Sequence, residues 1–270
     1  MKNFLGLIYG IVYGVAHVVP GLSGSTFLVI FGCYDTICEA FALNLNEIKR
    51  RRLFLFFFVT GAIGGLVGFA HVITALLDSF KIQTTLFFMG LILGGIPLIA
   101  RIATEEEKFK PACILPFLLG IVLVVSLFGA EKLGVFGADA VQSVDFLFLL
   151  KTMLYSFLAA IAMVMPGISG AFVLVAFGVY DMFMEALKGL DLSVLIPALI
   201  GIAMGIIAGA KLILLLIKKF KLTVYSAILG MVIGSAAPLF PSDLGLNFVT
   251  LTGIACLILG GCAAILLGKR

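Results

Sequence analysis

Two stretches decide how this chain folds. Residues 18–35 read VVPGLSGSTFLVIFGCYD, and residues 164–181 read VMPGISGAFVLVAFGVYD. At an offset of 146, Pro20, Gly21, Ser23, Gly24, Tyr34, Asp35 and Glu39 recur as Pro166, Gly167, Ser169, Gly170, Tyr180, Asp181 and Glu185. Apolar bias alone could match a leucine or a valine. It would not keep Pro, Ser, Tyr, Asp and Glu in step. The repeat continues at an offset of 140, where Gly61, Gly65, Phe80, Lys81, Gly90 and Gly94 face Gly201, Gly205, Phe220, Lys221, Gly230 and Gly234. The chain is therefore a duplicated single domain over 1–270, with repeat one at 1–130 and repeat two at 147–267.

The surroundings of these stretches set the class. Of 270 residues, 63% are hydrophobic and 12% charged, with a mean hydropathy of +1.27. Such a composition cannot cover a soluble domain with polar surface, so the chain reads as a polytopic membrane protein. Apolar segments run 4–19, 25–43, 53–77, 82–100, 112–129, 147–165, 171–187, 194–217, 222–239 and 247–267. Each half thus holds five. Lys2 before an apolar run resembles a secretory signal, but the same layout recurs around Lys151 and Pro166, which makes the N-terminus part of the fold. Five scattered cysteines and two distant histidines offer no disulfide frame and no metal site, and no cofactor or nucleic-acid partner is expected.

Parity gives topology. A re-entrant hairpin made of the first two segments leaves three crossings per half, and full crossing gives five. Both numbers are odd, so the second half is inverted relative to the first. With the N-terminus inside, Lys2, Lys49, Arg50, Arg51, Arg52, Arg101, Lys108, Lys110, Lys218, Lys219, Lys221, Lys269 and Arg270 face the cytoplasm, against Lys81, Lys132, Lys151 and Lys188 outside. That is a positive-inside bias. The expected fold is an all-α integral membrane protein of two inverted-topology repeats, with a re-entrant helical hairpin opening each and both termini cytoplasmic.

The repeated proline breaks carry the chemistry. Proline cannot donate a backbone hydrogen bond, and Gly and Ser beside it favour a turn. In hydrocarbon such a break persists only where protein or water surrounds it. One break per inverted half is the pattern of broken helices meeting at a central site. After each break a helix begins. Ser23 or Ser25, and Ser169, are placed to cap it, while Gly21, Gly24, Gly167 and Gly170 let a ligand approach the backbone. A helix start favours anions, phosphate above all. These seven residues are the expected substrate-binding set; the plain alternative is a turn between two ordinary spans.

Three further groups stand out. Asp35 with Glu39, and Asp181 with Glu185, lie one helical turn apart and suit coupling or gating, the alternative being a place at the membrane surface. His71 and Lys211 align at the 140 offset and could contact a head group at either leaflet; snorkelling is the alternative. His17 has Met163 as its counterpart and falls outside the symmetric set. The glycine pairs read as close-packed helix faces.

The doubled PG(L/I)SG followed by FG-x-YD resembles, over essentially the whole chain, a family of polytopic bacterial membrane proteins linked to undecaprenyl-phosphate translocation, the PopT group. The resemblance implies a non-enzymatic transporter in the bacterial cytoplasmic membrane. It would return the lipid carrier from the outer to the cytoplasmic leaflet for reuse in cell-wall synthesis, with membrane lipids and polyprenyl phosphate as partners. An ion-coupled secondary transporter of a small anion fits paired broken helices equally well. An undecaprenyl-diphosphate phosphatase fits less well, because PGLSGS and PGISGA carry no arginine among the serines.

Overall fold

The computed structural model describes residues 3–19, 22–105, 110–133, 146–241, 245 and 248–268, and these are helical with short links. In chain order the helices are α1 (Leu5–Val18), α2 (Gly24–Ile30), α3 (Tyr34–Phe41), α4 (Leu45–Arg50), α5 (Arg52–Ser79) and α6 (Lys81–Ala103). They continue as α7 (Ile114–Leu133), α8 (Phe146–Val164), α9 (Gly170–Ala176), α10 (Tyr180–Gly189), α11 (Leu192–Gly234) and α12 (Phe248–Gly268). Among the described residues, six helical runs are long and apolar enough to cross a membrane: those of α5, α6, α7, α8, α11 and α12. Large apolar side chains such as Phe56, Val67, Leu119 and Leu251 point outward from them, which suits a lipid surface.

Two expected segments do not form single helices. The stretch 25–43 splits into α2 and α3 at Gly32, and 171–187 splits into α9 and α10 at Gly178. These glycines have φ of 65° and 68°, a conformation that costs a side-chain-bearing residue energy. The FG dipeptide of the repeated motif is thus a second break; the axes of α9 and α10 differ by 111°. The expected segments 194–217 and 222–239 are the two legs of α11, which meet at a non-helical corner at Phe220 (φ −140°, ψ 49°). Its repeat mate Phe80 has nearly the same backbone (φ −135°, ψ 47°) between α5 and α6.

Glycine contacts fix the packing register. Along α1 and α5, Gly61 meets the Leu7 backbone and Gly65 meets Ile11, while Gly10 meets Phe58 and Gly14 meets Ala62. Both numbers rise together, so the helices run in the same direction. Along α8 and α11, Gly201 meets Met153 and Gly205 meets Phe157. These pairs are the first pairs shifted by the offsets of the sequence repeat. A Cβ at any of them would enter the neighbouring backbone, so the small residue is what permits the contact. Since α1 and α5 start at one end and run the same way, the chain between them must return to that end, and α2–α4 form the return leg.

The last helix of each half packs on the other half. Gly90 and Gly94 of α6 meet Leu257 and Gly261 of α12, and Gly230 and Gly234 of α11 meet Phe117 and Ile121 of α7. The exchange ties the halves together through the core.

The two hairpins differ in burial. All seven residues of α2 are buried, but only Phe172, Val173 and Ala176 of α9. Helix α3 packs against α11, where Tyr225 faces Asp35. Helix α10 faces the first turns of α11 and leaves Asp181 and Glu185 exposed.

Candidate functional site

The two proline breaks meet. Ser25 Oγ donates to the Met165 carbonyl (2.9 Å), Tyr34 Oη donates to the Val164 carbonyl (3.1 Å), and Gly167 N–H donates to Thr26 Oγ1 (2.9 Å). A proline at 166 and a glycine at φ 86° remove the helical partners of these groups. Side chains from the first hairpin replace them, so the buried backbone of the second break is satisfied within protein.

The same bonds correct the expected capping. Ser23 and Ser169 stand at the N-cap positions of α2 and α9, but neither side chain caps its helix. Ser23 Oγ lies 2.7 Å from Ser25 Oγ. Because the Ser25 proton goes to Met165, the Ser23 hydroxyl donates to Ser25. Both helices have only seven residues, so their dipoles are short and anion binding must draw on side chains as well. Gly21 lies outside the described residues.

A cavity of about 390 Å³ opens beside this junction. His17, Ser23, Gly24, Ser169 and Gly170 form its polar end. Phe183, Met184, Leu187, Leu199 and Ile202 form an apolar wall, and exposed Leu187, Leu199 and Ile202 bring that wall to the outer, lipid-facing surface. The cavity therefore joins a hydroxyl-rich end at the two breaks to a lateral apolar opening.

His17 is the ionisable side chain of that lining among the described residues. Its Nδ1–H donates to the Tyr13 carbonyl (2.8 Å), which leaves Nε2 as the other hydrogen-bonding atom of the ring. The Tyr13 ring lies against it at 4.5 Å between centroids. Gly24 gives the imidazole room, since a Cβ there would meet the His17 ring.

Comparison with known proteins supplies the lineage. The sequence profile of the VCA0040-like family, described as undecaprenyl phosphate translocase-like, matches residues 2–112 and 87–256. The chain belongs to this family. It is similar to a polyprenyl-phosphate transporter of Staphylococcus aureus, 27% identical over 279 residues that cover 99% of this chain and 96% of the relative. It is also similar to a polyprenyl-phosphate transporter of Vibrio cholerae, 26% identical over 254 residues that cover 88% of this chain and 78% of the relative. No solved structure matches the chain.

In this member of the translocase-like family the expected residues divide into three places. Ser23, Gly24, Ser169 and Gly170 line the cavity, while Ser25 and Gly167 sit behind it in the bonds that join the breaks. Asp35, Glu39 and Lys211 come together in an open depression between α3 and α11, which also takes in Lys218. Asn44 Nδ2 donates to Glu39 (2.8 Å) there. Asp181, Glu185 and His71 are exposed and do not line the cavity. The carboxylate pairs are thus unequal, one sharing a depression with Lys211 and Lys218 and the other outside the cavity, although their sequences match.

His17 was excluded by its mismatch with Met163, yet both side chains line the cavity. The symmetry argument fails because the two breaks contribute different residues to one shared space. The available signal was position: a basic residue three places before a proline break inside an apolar run.

Proposed function

We propose that this chain carries a polyprenyl-phosphate lipid across the bacterial cytoplasmic membrane, from the outer to the cytoplasmic leaflet, for reuse in cell-wall synthesis. The observation that carries the reading is the cavity, polar where the two breaks meet and open sideways to lipid. The names of the Staphylococcus aureus and Vibrio cholerae relatives support the cargo.

The physical problem is a phosphate that must pass about 30 Å of hydrocarbon while its tail can remain in lipid. A bare charge there is very costly. Ser23, Ser169 and His17 offer hydrogen bonds in its place, and a protonated His17 would add the one positive charge. Binding would require the Ser23 hydroxyl to turn from Ser25 toward the ligand. That step couples head-group capture to the bonds that hold the breaks together.

The repeat-related packing and the return legs α2–α4 and α9–α10 support a reading of inverted repeats, each beginning with a re-entrant hairpin. The lysine-rich corner of α11 belongs inside by the positive-inside pattern, which puts the cavity, at the start of α11, toward the outer leaflet. In this state α2 and α3 close the inner side, and α9 and α10 open the outer side. Exchange of the two arrangements gives alternating access. Asp35, Glu39 and Lys211 act in the inner gate. Transport of a small soluble anion would not need the apolar lateral wall. A phosphatase would need charge stabilisation from arginine or a pair of histidines, and the lining among the described residues holds no arginine and a single histidine.

The test is transbilayer movement of labelled undecaprenyl phosphate in proteoliposomes, with His17→Gln and the double variant Ser23→Ala with Ser169→Ala alongside. Faster movement than in empty vesicles is expected, slowed about tenfold or more in each variant, the scale of a lost charge-assisted hydrogen bond. A folded wild-type protein that leaves the lipid where it was, but admits glycerol phosphate to the lumen, would replace this reading with small-anion transport.

A further inference from the structure

A second pocket lies at the other end of α11, and it is basic. It encloses about 300 Å³ around the Phe220 corner. Lys218 and Lys219 reach it from the first leg of α11, Lys221 from the second, and Lys110 from the link before α7. The Thr223 side chain lies beside them. Lys219 Nζ sits 5.3 Å from the centre of the Phe220 ring. Among the described residues, the acidic groups that face the cluster are Glu105, 3.5 Å from Lys221 Nζ and largely exposed, Asp35, whose charge also bears on Lys221, and Glu39, which shares a depression with Lys218. Four lysines thus line one pocket, and among the described residues their charge is only partly offset by these carboxylates.

The repeat shows that the corner does not require these lysines. Phe80 makes the same turn in the first half, and the residues that correspond to Lys218, Lys219 and Lys221 there are Asp78, Ser79 and Lys81. The same corner forms in the first half with one carboxylate and one ammonium beside it, so the turn does not depend on the lysines. Only one copy gathers lysines, and these are joined by Lys110 from the link before α7 to make a walled pocket. Such a pocket between membrane helices suits an anionic head group.

Its position adds a constraint. From Ala198, beside the first cavity, to Lys218 is twenty residues of α11, or about 30 Å at 1.5 Å per residue. The lysine pocket and the far wall of the cavity are therefore about one hydrocarbon thickness apart along α11.

We propose that the lysine pocket is a second binding site, for a phosphate monoester dianion, about one hydrocarbon thickness along α11 from the cavity. Its occupant is a lipid-borne phosphate head arriving from the cavity or a free phosphate from the aqueous phase. The ligand class deepens the transport reading above, whereas the pocket itself stands on the lysine cluster. Several ammonium groups at short range favour a dianion over the single charge of a phosphodiester.

The experiment measures binding to full-length protein in nanodiscs of neutral lipid, with short-chain polyprenyl phosphate, phosphatidylglycerol and inorganic phosphate as separate probes. Wild-type protein is expected to take up two equivalents of polyprenyl phosphate. Lys218→Gln with Lys219→Gln should weaken one of them roughly tenfold and spare the other. His17→Gln should do the reverse, and the retained site reports that each variant is folded. Lys49→Gln with Arg50→Gln, which removes surface charge outside the pocket, should change neither. Weaker binding of phosphatidylglycerol at the lysine site is expected. If inorganic phosphate also displaces the lipid there, free phosphate is an occupant; if it does not, the site is for lipid.

A single equivalent untouched by the lysine variant overturns the proposal. Equal loss on removing Lys49 and Arg50, or equal binding of phosphatidylglycerol, overturns it too by reducing the effect to general surface charge. Failure of the cargo reading would look different: no binding sensitive to His17, with phosphate still held by the lysines.

Discussion

The bond from Gly167 N–H to Thr26 Oγ1 can be tested by Thr26→Val, which keeps the shape of the side chain and removes the acceptor. Thr26 is 1% exposed and Gly167 is buried, so water cannot replace the lost partner. The N–H cannot swing to another acceptor either, because Pro166 precedes it and the glycine is held at φ 86°. A stranded buried donor costs about 1–3 kcal/mol. The new methyl gives back up to about 0.8 kcal/mol of apolar transfer. The net loss is about 1–2 kcal/mol, or roughly 2–8 °C in melting temperature at about 2–4 °C per kcal/mol. Thr60→Val is the control: that hydroxyl donates on an exposed helix face to carbonyls of its own helix, so its removal strands no buried donor. Ser25→Ala should fall between them, since it leaves a carbonyl short of one donor, a lesser cost than an orphaned N–H, and the Ser23 hydroxyl that loses its acceptor borders the cavity and can turn into it. A fluorogenic thiol dye reads the unfolding, because Cys33, Cys38 and Cys113 are buried and free. If Thr26→Val and Thr60→Val melted together, the contact between the breaks would have no energetic weight, and the coupling argued from it would fall.

Other consequences follow from the same contacts. Gly61→Val drives a side chain into the Leu7 backbone and should lower the melting temperature or abolish folding, whereas Gly64→Val, with nothing nearby, should be close to neutral; thermal melts of the pair check this. Tyr225→Phe removes the hydroxyl that α11 presents to Asp35 of α3, so maleimide labelling of Cys38 should quicken in a variant that keeps only that cysteine. Asp191 caps α11 by accepting from Ser193 N–H (3.0 Å) and Ser193 Oγ (2.6 Å), and these bonds hold its carboxyl below the usual range. The stabilisation from a lowered carboxyl is present above the unfolded-state pKa and is lost as pH falls through the folded-state value. The melting temperature of the wild type should therefore fall at acid pH more than that of Asp191→Asn.

Much of the fold was legible because local demands leave marks in sequence. Glycines at 61, 65, 201 and 205 announced close helix contacts, and the structure places each against a backbone at the repeat-related position. The second break in each motif was missed because FG inside an apolar run looks like helix. Only the positive φ of Gly32 and Gly178 reveals the turn. His17 was missed because symmetry was applied to a site that two unlike residues share. The lysines of KKFK were visible as a charged link, but the pocket needs Lys110, over a hundred residues earlier in the chain.

By itself the sequence determined a membrane protein, its duplication, the proline breaks and the links that gather positive charge. Each follows from what a residue type requires of its own surroundings: apolar runs need lipid, proline refuses an N–H bond, and glycine admits a backbone. Only the tertiary structure decided which hairpin is packed and which is open, that the last helices of the halves exchange partners, and that both breaks border one cavity with His17. Two nearly identical motifs carry the same local preferences, so nothing local can tell them apart. The difference arises from many weak contacts made at once across the core, and these exist only when the chain is folded.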